Sequence, residues 1–192
     1  MRIIAGKFRS RQLKSLKGLA LRPTSDMLRE TLFNILGPRV EGSRFLDLFA
    51  GTGAVGIEAI SRGAACATFV ENHAAAARLI RENLASLEIE AEARIITSSV
   101  NPALEKLQKE RAPVFDFIFL DPPYANEKDY QATFHSLENS SLVAESTIVV
   151  AEHHKSFELP VSLGQVERVR VLRQGDAALS FYRPSNAENS WK

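Results

Sequence analysis

Arg44-Phe45-Leu46-Asp47-Leu48-Phe49-Ala50-Gly51-Thr52-Gly53-Ala54-Val55-Gly56 is the stretch of this 192-residue chain that decides its fold. Residues 45–49 read as a buried strand, and residues 52–62 as a helix entered through a glycine turn. Gly51, Gly53 and Gly56 match G-x-G-x-x-G in the strand-to-helix context that gives the pattern meaning. The alternation then repeats. Strands are expected over 67–71, 94–97, 114–120 and 147–151, with helices over 73–87, from Asn101-Pro102 onward, and around Tyr130, Phe134 and Leu137. Asn101 caps the third of these helices and Pro102 opens it. Upstream, Ser25 or Asp26 caps a helix carrying Leu28, Leu32, Ile35 and Leu36, which Gly37-Pro38 stops. Downstream, residues 166–172 and 178–182 flank Gln174-Gly175-Asp176 as a hairpin. The sum is an α/β fold: a doubly wound, mostly parallel, Rossmann-like seven-stranded sheet with a C-terminal antiparallel hairpin.

Ligands on such sheets bind outside the carboxyl ends of the strands. Glu71 ends the second strand 20 residues after Gly51, where it can accept hydrogen bonds from ribose hydroxyls. The glycine fingerprint admits either a dinucleotide such as NAD or another nucleoside cofactor. Asp47 favours the second, because a carboxylate inside a strand is costly to bury without a cationic or N–H partner. S-adenosylmethionine supplies one in its ammonium group. The cofactor-binding set is then Asp47, Phe49, Ala50, Gly51, Thr52, Gly53, Glu71 and Asn72, with the adenine beside Ser98 and Ser99 at the end of the third strand.

A second motif follows the apolar run 114–120: Asp121-Pro122-Pro123-Tyr124. Prolines fix φ and lack N–H donors, leaving nearby carbonyls as acceptors. Asp121 adds a charged acceptor and Tyr124 a face for stacking a base. Together they make a clamp for a planar ring bearing an exocyclic amine. Asp121, Pro122 and Tyr124 are the candidate catalytic residues.

The net charge of +1 hides an asymmetry. Residues 1–25 hold Arg2, Lys7, Arg9, Arg11, Lys14, Lys17 and Arg22 without one Asp or Glu, leaving 17 cations against 23 anions elsewhere. Such a split points to a polyanion partner at one end. Interleaved Ile3, Ile4, Phe8, Leu13 and Leu16 argue for an ordered segment, with a short hairpin over 2–5 and 10–16. The chain suits one compact domain with a small appendage. The lone Cys66 fits a reducing cytoplasm, and no apolar run approaches the roughly 18 residues of a membrane span. The four histidines show no ligand spacing with Cys66, so no metal is expected.

Leu46-Asp47-Leu48-Phe49-Ala50-Gly51-Thr52-Gly53, Val70-Glu71 and Asp121-Pro122-Pro123-Tyr124 resemble the motifs of class I methyltransferases that modify exocyclic amines. More narrowly, Arg2-Ile3-Ile4-Ala5-Gly6, Arg22-Pro23-Thr24-Ser25-Asp26 and Arg29-Glu30-Thr31-Leu32-Phe33-Asn34-Ile35-Leu36 resemble the RsmD family. The resemblance runs from residue 1 to about 183, with Met27 where the family commonly has Arg and Ser99 where relatives often carry Asp or Asn. It implies S-adenosylmethionine-dependent methylation of guanine N2 in 16S ribosomal RNA. The substrate is that RNA or the small ribosomal subunit, and the enzyme a monomer. Arg2, Lys7, Arg9, Arg11, Lys14, Arg22, Thr24 and Arg29 are the candidate RNA contacts. Residues 1–24 form the RNA-binding extension, 25–183 the catalytic domain and 184–192 a tail. Deleting residues 1–20 is then expected to weaken RNA binding and to spare cofactor binding. The clamp alone also suits a DNA or RNA adenine-N6 methyltransferase, which is the alternative reading.

Overall fold

The computed structural model describes residues 1–15, 24–122, 127–138, 140–163 and 166–185, with the side chains of 127 and 163 left out. Two compact units divide the chain, Met1–Val100 and Asn101–Lys192.

In the first unit, strands β1 (Arg44–Asp47), β2 (Cys66–Glu71) and β3 (Ala93–Thr97) run parallel, with β2 between the other two. Helix α1 (Asp26–Leu36) begins where Ser25 Oγ accepts the Leu28 N–H at 3.1 Å. Its stripe of Leu28, Leu32, Phe33 and Leu36 is buried, and Gly37-Pro38 turns the chain into a single 3-10 turn, Gly37–Val40. Helix α2 (Ala54–Ser61) packs on β1 and β2, and α3 (Ala74–Ser86) on β2 and β3. β1 stops at Asp47 and α2 starts at Ala54, two residues inside the expected bounds at each end. The loop between them needs those residues, because Gly53 caps α2 in the left-handed region at φ 79°.

The second unit holds α4 (Val100–Lys109), β4 (Phe117–Leu120), α5 (Glu127–Leu137), β5 (Ile148–His154), β6 (Ser162–Leu163), β7 (Val166–Gln174) and β8 (Ala177–Pro184). β4 and β5 pair in parallel, and β8, β7 and β6 extend the sheet from β5 in antiparallel order. α4 starts at Val100, so Asn101 lies inside the helix rather than capping it; Pro102 stays in the first turn, where its missing N–H costs nothing. β4 is shorter than residues 114–120. Val114 is exposed, and the Phe115 N–H leaves the ladder for Leu142 O at 3.0 Å. Among the described residues seven strands have four residues or more, as expected; two-residue β6 is too short to show any alternation. The β7–β8 hairpin closes over Gly175-Asp176, with Gly175 at φ 62°.

The N-terminal segment packs as part of the first unit. Its expected hairpin reduces to one bridge, Arg2 to Gln12, flanked by backbone bonds Ile3 to Arg11, Ser10 to Ile3 and Leu13 to Met1. Ile3 and Leu13 are buried. Leu16, Lys17 and Arg22 lie outside the described residues.

Candidate functional site

The glycine loop follows β1 and is held by Glu71 at the end of β2. The Gly51 N–H donates to Glu71 Oε2 at 2.8 Å, and the His73 N–H to Oε1 at 2.7 Å. Ala50 N–H reaches Val70 O at 3.0 Å, and Gly53 N–H closes the turn on Ala50 O at 2.7 Å. Glu71 therefore staples the loop in addition to any ligand it takes; each oxygen keeps a second lone pair for a ribose hydroxyl. Gly56 serves packing instead, since a Cβ there would lie 2.3 Å from the Phe69 ring.

Asp47 is almost fully buried, and its Oδ2 accepts the Gly56 N–H at 3.2 Å. Burial raises its pKa from 3.8 to about 7; the Gly56 bond opposes this, and the nearby Glu71 charge adds to it. A carboxylate poised near neutrality gains much from a cation beside it. Gly51 has open space where a Cβ would stand, so a ligand can approach the loop backbone. The residues present thus fit a ligand with an ammonium group and a ribose. Phe49 and Ser98 are half-buried and Asn72 and Ser99 exposed, while Thr52 is buried in the loop. Ser98 N–H bonds to Glu71 O at 3.1 Å, tying the end of β3 to that of β2.

In the second unit, Asp121 and Pro122 follow β4 directly, Asp121 half-buried and Pro122 buried. β4 is buried at all four positions, so it presents a fixed exit for the motif. Pro123 and Tyr124 lie outside the described residues.

The basic segment divides by burial. Arg2, Lys7, Arg9, Arg11 and Lys14 are exposed. With the start of α1 the segment borders a cleft of about 400 Å³, lined among others by Arg2, Ile4, Arg9, Met27 and Glu30. Two candidates are corrected. Arg29 is fully buried and donates to Arg2 O at 2.6 Å, Thr24 O at 3.3 Å and Asp26 Oδ1 at 3.0 Å. Thr24 is buried too. Neither side chain reaches a phosphate; Arg29 instead ties the start of α1 to the N-terminus. Arg22 lies outside the described residues.

Two residues that hold this arrangement escaped the sequence reading. Glu58, fully buried on α2, accepts the N–H groups of Ile4 and Ala5 at 2.8 and 3.0 Å, and pairs with Arg62 at 2.7 Å and Arg29 at 3.8 Å. Asn83 on α3 bonds both Lys14 and Thr52. The available signal was a polar residue on an otherwise apolar helix face, which implies a buried partner without naming it. Among the described residues, no group of three or more His, Cys, Asp or Glu is placed to hold a metal, and no helix is long and apolar enough to cross a membrane.

Comparison with known proteins covers nearly the whole chain. Ribosomal RNA small subunit methyltransferase D of Haemophilus influenzae is 41% identical over 185 residues, covering 95% of this chain and 92% of that protein. The protein of the same name from Escherichia coli K12 is 37% identical over 183 residues, covering 95% and 89%. The solved structure of Escherichia coli yhhF superimposes with a TM-score of 0.83 at 35% identity, covering 96% of this chain and 97% of that one. That likeness shows the α/β fold, with its parallel strands and C-terminal antiparallel strands, for the chain as a whole. The model of the family described as Conserved hypothetical protein 95 matches residues 1–183, and with these relatives it shows that the chain belongs to that family, the RsmD family.

Proposed function

We propose that the chain methylates the exocyclic N2 amine of a guanine in small-subunit (16S) ribosomal RNA, using S-adenosylmethionine. Family membership across residues 1–183 is the observation that carries this reading. When bound, S-adenosylmethionine supplies an electrophilic methyl group on a sulfonium. Asp47 takes the ammonium, the backbone of Phe49 to Gly53 lies against the ligand, Glu71 and Asn72 take the ribose, and Ser98 and Ser99 border the adenine.

Guanine N2 is a poor nucleophile because its lone pair is delocalised into the ring. The Asp121 carboxylate and Pro122 carbonyl accept its two N–H groups, which turns the lone pair towards the methyl group. Acceptors placed where positive charge develops lower the barrier, and alignment adds the proximity effect. Once methylated, the nitrogen would lose a proton to Asp121 or water. Tyr124 stacks on the target base, turned out of its surroundings. Residues 1–24 act as the RNA-binding extension of a catalytic domain over 25–183, with 184–192 a tail. Arg2, Lys7, Arg9, Arg11, Lys14 and Arg22 neutralise phosphates. The enzyme works without a metal, as a monomer in the cytoplasm.

Incubation of the protein with labelled S-adenosylmethionine and unmodified 16S ribosomal RNA or small subunits, followed by nucleoside analysis, tests the reading. N2-methylguanosine is the expected product. N6-methyladenosine would transfer the clamp to an adenine amine, and no labelled nucleoside would overturn the assignment.

A further inference from the structure

We infer that Asn83 is a positioning residue that couples RNA binding by the basic segment to cofactor binding by the glycine loop. The inference rests on the proposed function for what the two elements bind; the wiring between them is visible in the first unit alone. The Asn83 side chain is 1% exposed. Its Oδ1 accepts the Lys14 N–H at 2.8 Å, while Nδ2 donates to Lys14 O at 3.2 Å and to Thr52 O at 3.1 Å. One planar amide thus grips both backbone polar groups of Lys14 and the carbonyl between the two loop glycines. The orientation is fixed by its partners, since the Lys14 N–H needs an acceptor and the two carbonyls need donors.

The surroundings stiffen this link. Lys14 points its ammonium outward, where it pairs with Glu82 Oε2 at 3.0 Å, the residue before Asn83. At the other end of the segment, Glu58 on α2 holds Ile4 and Ala5, and the Lys7 N–H donates to Ser61 O at 2.7 Å. α2 itself springs from Gly53. One end of the basic segment is therefore anchored on α2, which the glycine loop enters, and the other on Asn83 of α3, which bonds that loop. A loop fixed by cofactor holds the Thr52 carbonyl, hence the Asn83 amide, hence the Lys14 backbone from which the ammonium projects. Ordering one partner in advance lowers the entropy cost of binding the other, and the effect is reciprocal.

Affinity for a labelled 16S ribosomal RNA fragment, measured with and without S-adenosylhomocysteine, reads the coupling. The wild-type protein should bind the fragment about 5- to 20-fold more tightly when the cofactor product is present, within the usual range of coupling between sites. Asn83→Asp keeps an acceptor for the Lys14 N–H but sets a carboxylate against the carbonyls of Lys14 and Thr52, and Asn83→Ala removes the grip. In both, the ratio should fall towards one while melting temperature reports any general loss of structure. Lys14→Ala keeps the backbone grip but removes the ammonium that the grip positions, so it should weaken RNA binding and lower the ratio as well. A wild-type ratio of one, or an unchanged ratio in both Asn83 variants, overturns the inference. If neither Asn83 variant folds, hydrogen exchange on the wild-type protein decides: S-adenosylhomocysteine alone should slow exchange over residues 11–15, and no change there overturns it. That measurement contains no RNA, so its outcome is separable from a failure of the proposed substrate.

Discussion

At Asp47, burial and function pull in opposite directions. The folded pKa of about 7 exceeds the ordinary 3.8, so between these values the folded protein keeps a proton that the unfolded chain has lost. This group's contribution to the stability of the free protein therefore falls as pH rises through that window and levels off above about 7. The proposed ammonium contact needs the ionised form, so cofactor affinity should rise about tenfold per pH unit below about 7 and flatten above it. Calorimetric titration across that range checks the slope; a flat profile would remove Asp47 from the ammonium site. Asp47→Asn should raise the melting temperature of the free protein at pH 8 by about 2–4 °C or more, while weakening cofactor binding at least about tenfold. Asp121→Ala addresses the other motif. Turnover should drop by about 100- to 1000-fold, the scale of losing one preorganised charge-stabilising group, with the cofactor dissociation constant within about twofold of wild type. Near-normal turnover would sink the role given to Asp121.

The basic segment is the element whose status the structure changes most. Its composition suggests a detachable arm, yet Ile3 and Leu13 are core residues and Glu58 and Asn83 spend their polar groups on its backbone. Deleting residues 1–20 would take the Ile4 and Ala5 N–H donors from buried Glu58, which keeps its arginines, and both Lys14 partners from buried Asn83, which keeps the Thr52 carbonyl; a buried hydrogen-bonding atom left without a partner costs about 1–3 kcal/mol. Contrary to the expectation from sequence, the truncated chain should melt several degrees lower and bind cofactor more weakly; unchanged cofactor affinity in a calorimetric titration would refute this. Gly6→Ala probes the same seam with one methyl group. Gly6 sits at φ 81°, and a Cβ there would come within 1.7 Å of Ser61 O, so the segment must move off α2. A loss of about 1–3 kcal/mol of stability and a raised KM for RNA are expected.

Across the whole molecule, charge is segregated while the net stays near zero, so affinity for RNA should follow salt and not the isoelectric point. The six cations proposed to meet phosphates (Arg2, Lys7, Arg9, Arg11, Lys14 and Arg22) at about 0.7 released counterions per phosphate give a slope of about −4.2 for log affinity against log salt. Replacing Arg9 and Arg11 together by Ala should reduce that slope by about 1.4 units, measured by filter binding. Replacing Arg29 should leave the slope unchanged and cost stability instead, because its charge is spent inside the protein. An equal effect on the slope would mean that Arg29 leaves its buried place to meet the RNA.

The sequence by itself determined the succession of strands and helices, the glycine turn, a helix cap at Ser25 or Asp26 and the exit of β4 into Asp121-Pro122. Apolar periodicity and the backbone limits of glycine and proline are local, so residues a few positions apart suffice to state them. Tertiary structure alone decided which charges face water. Arg9 and Arg29 read alike along the chain, yet one is exposed and the other fully buried, because the fold surrounds Arg29 with Arg2 O, Thr24 O, Asp26 and Glu58. It also decided that Glu71 braces the loop it was expected only to serve, and that Asn83 reaches residues 69 and 31 positions away. Whether a polar group is satisfied depends on partners brought near by packing, and no local pattern encodes who those partners are.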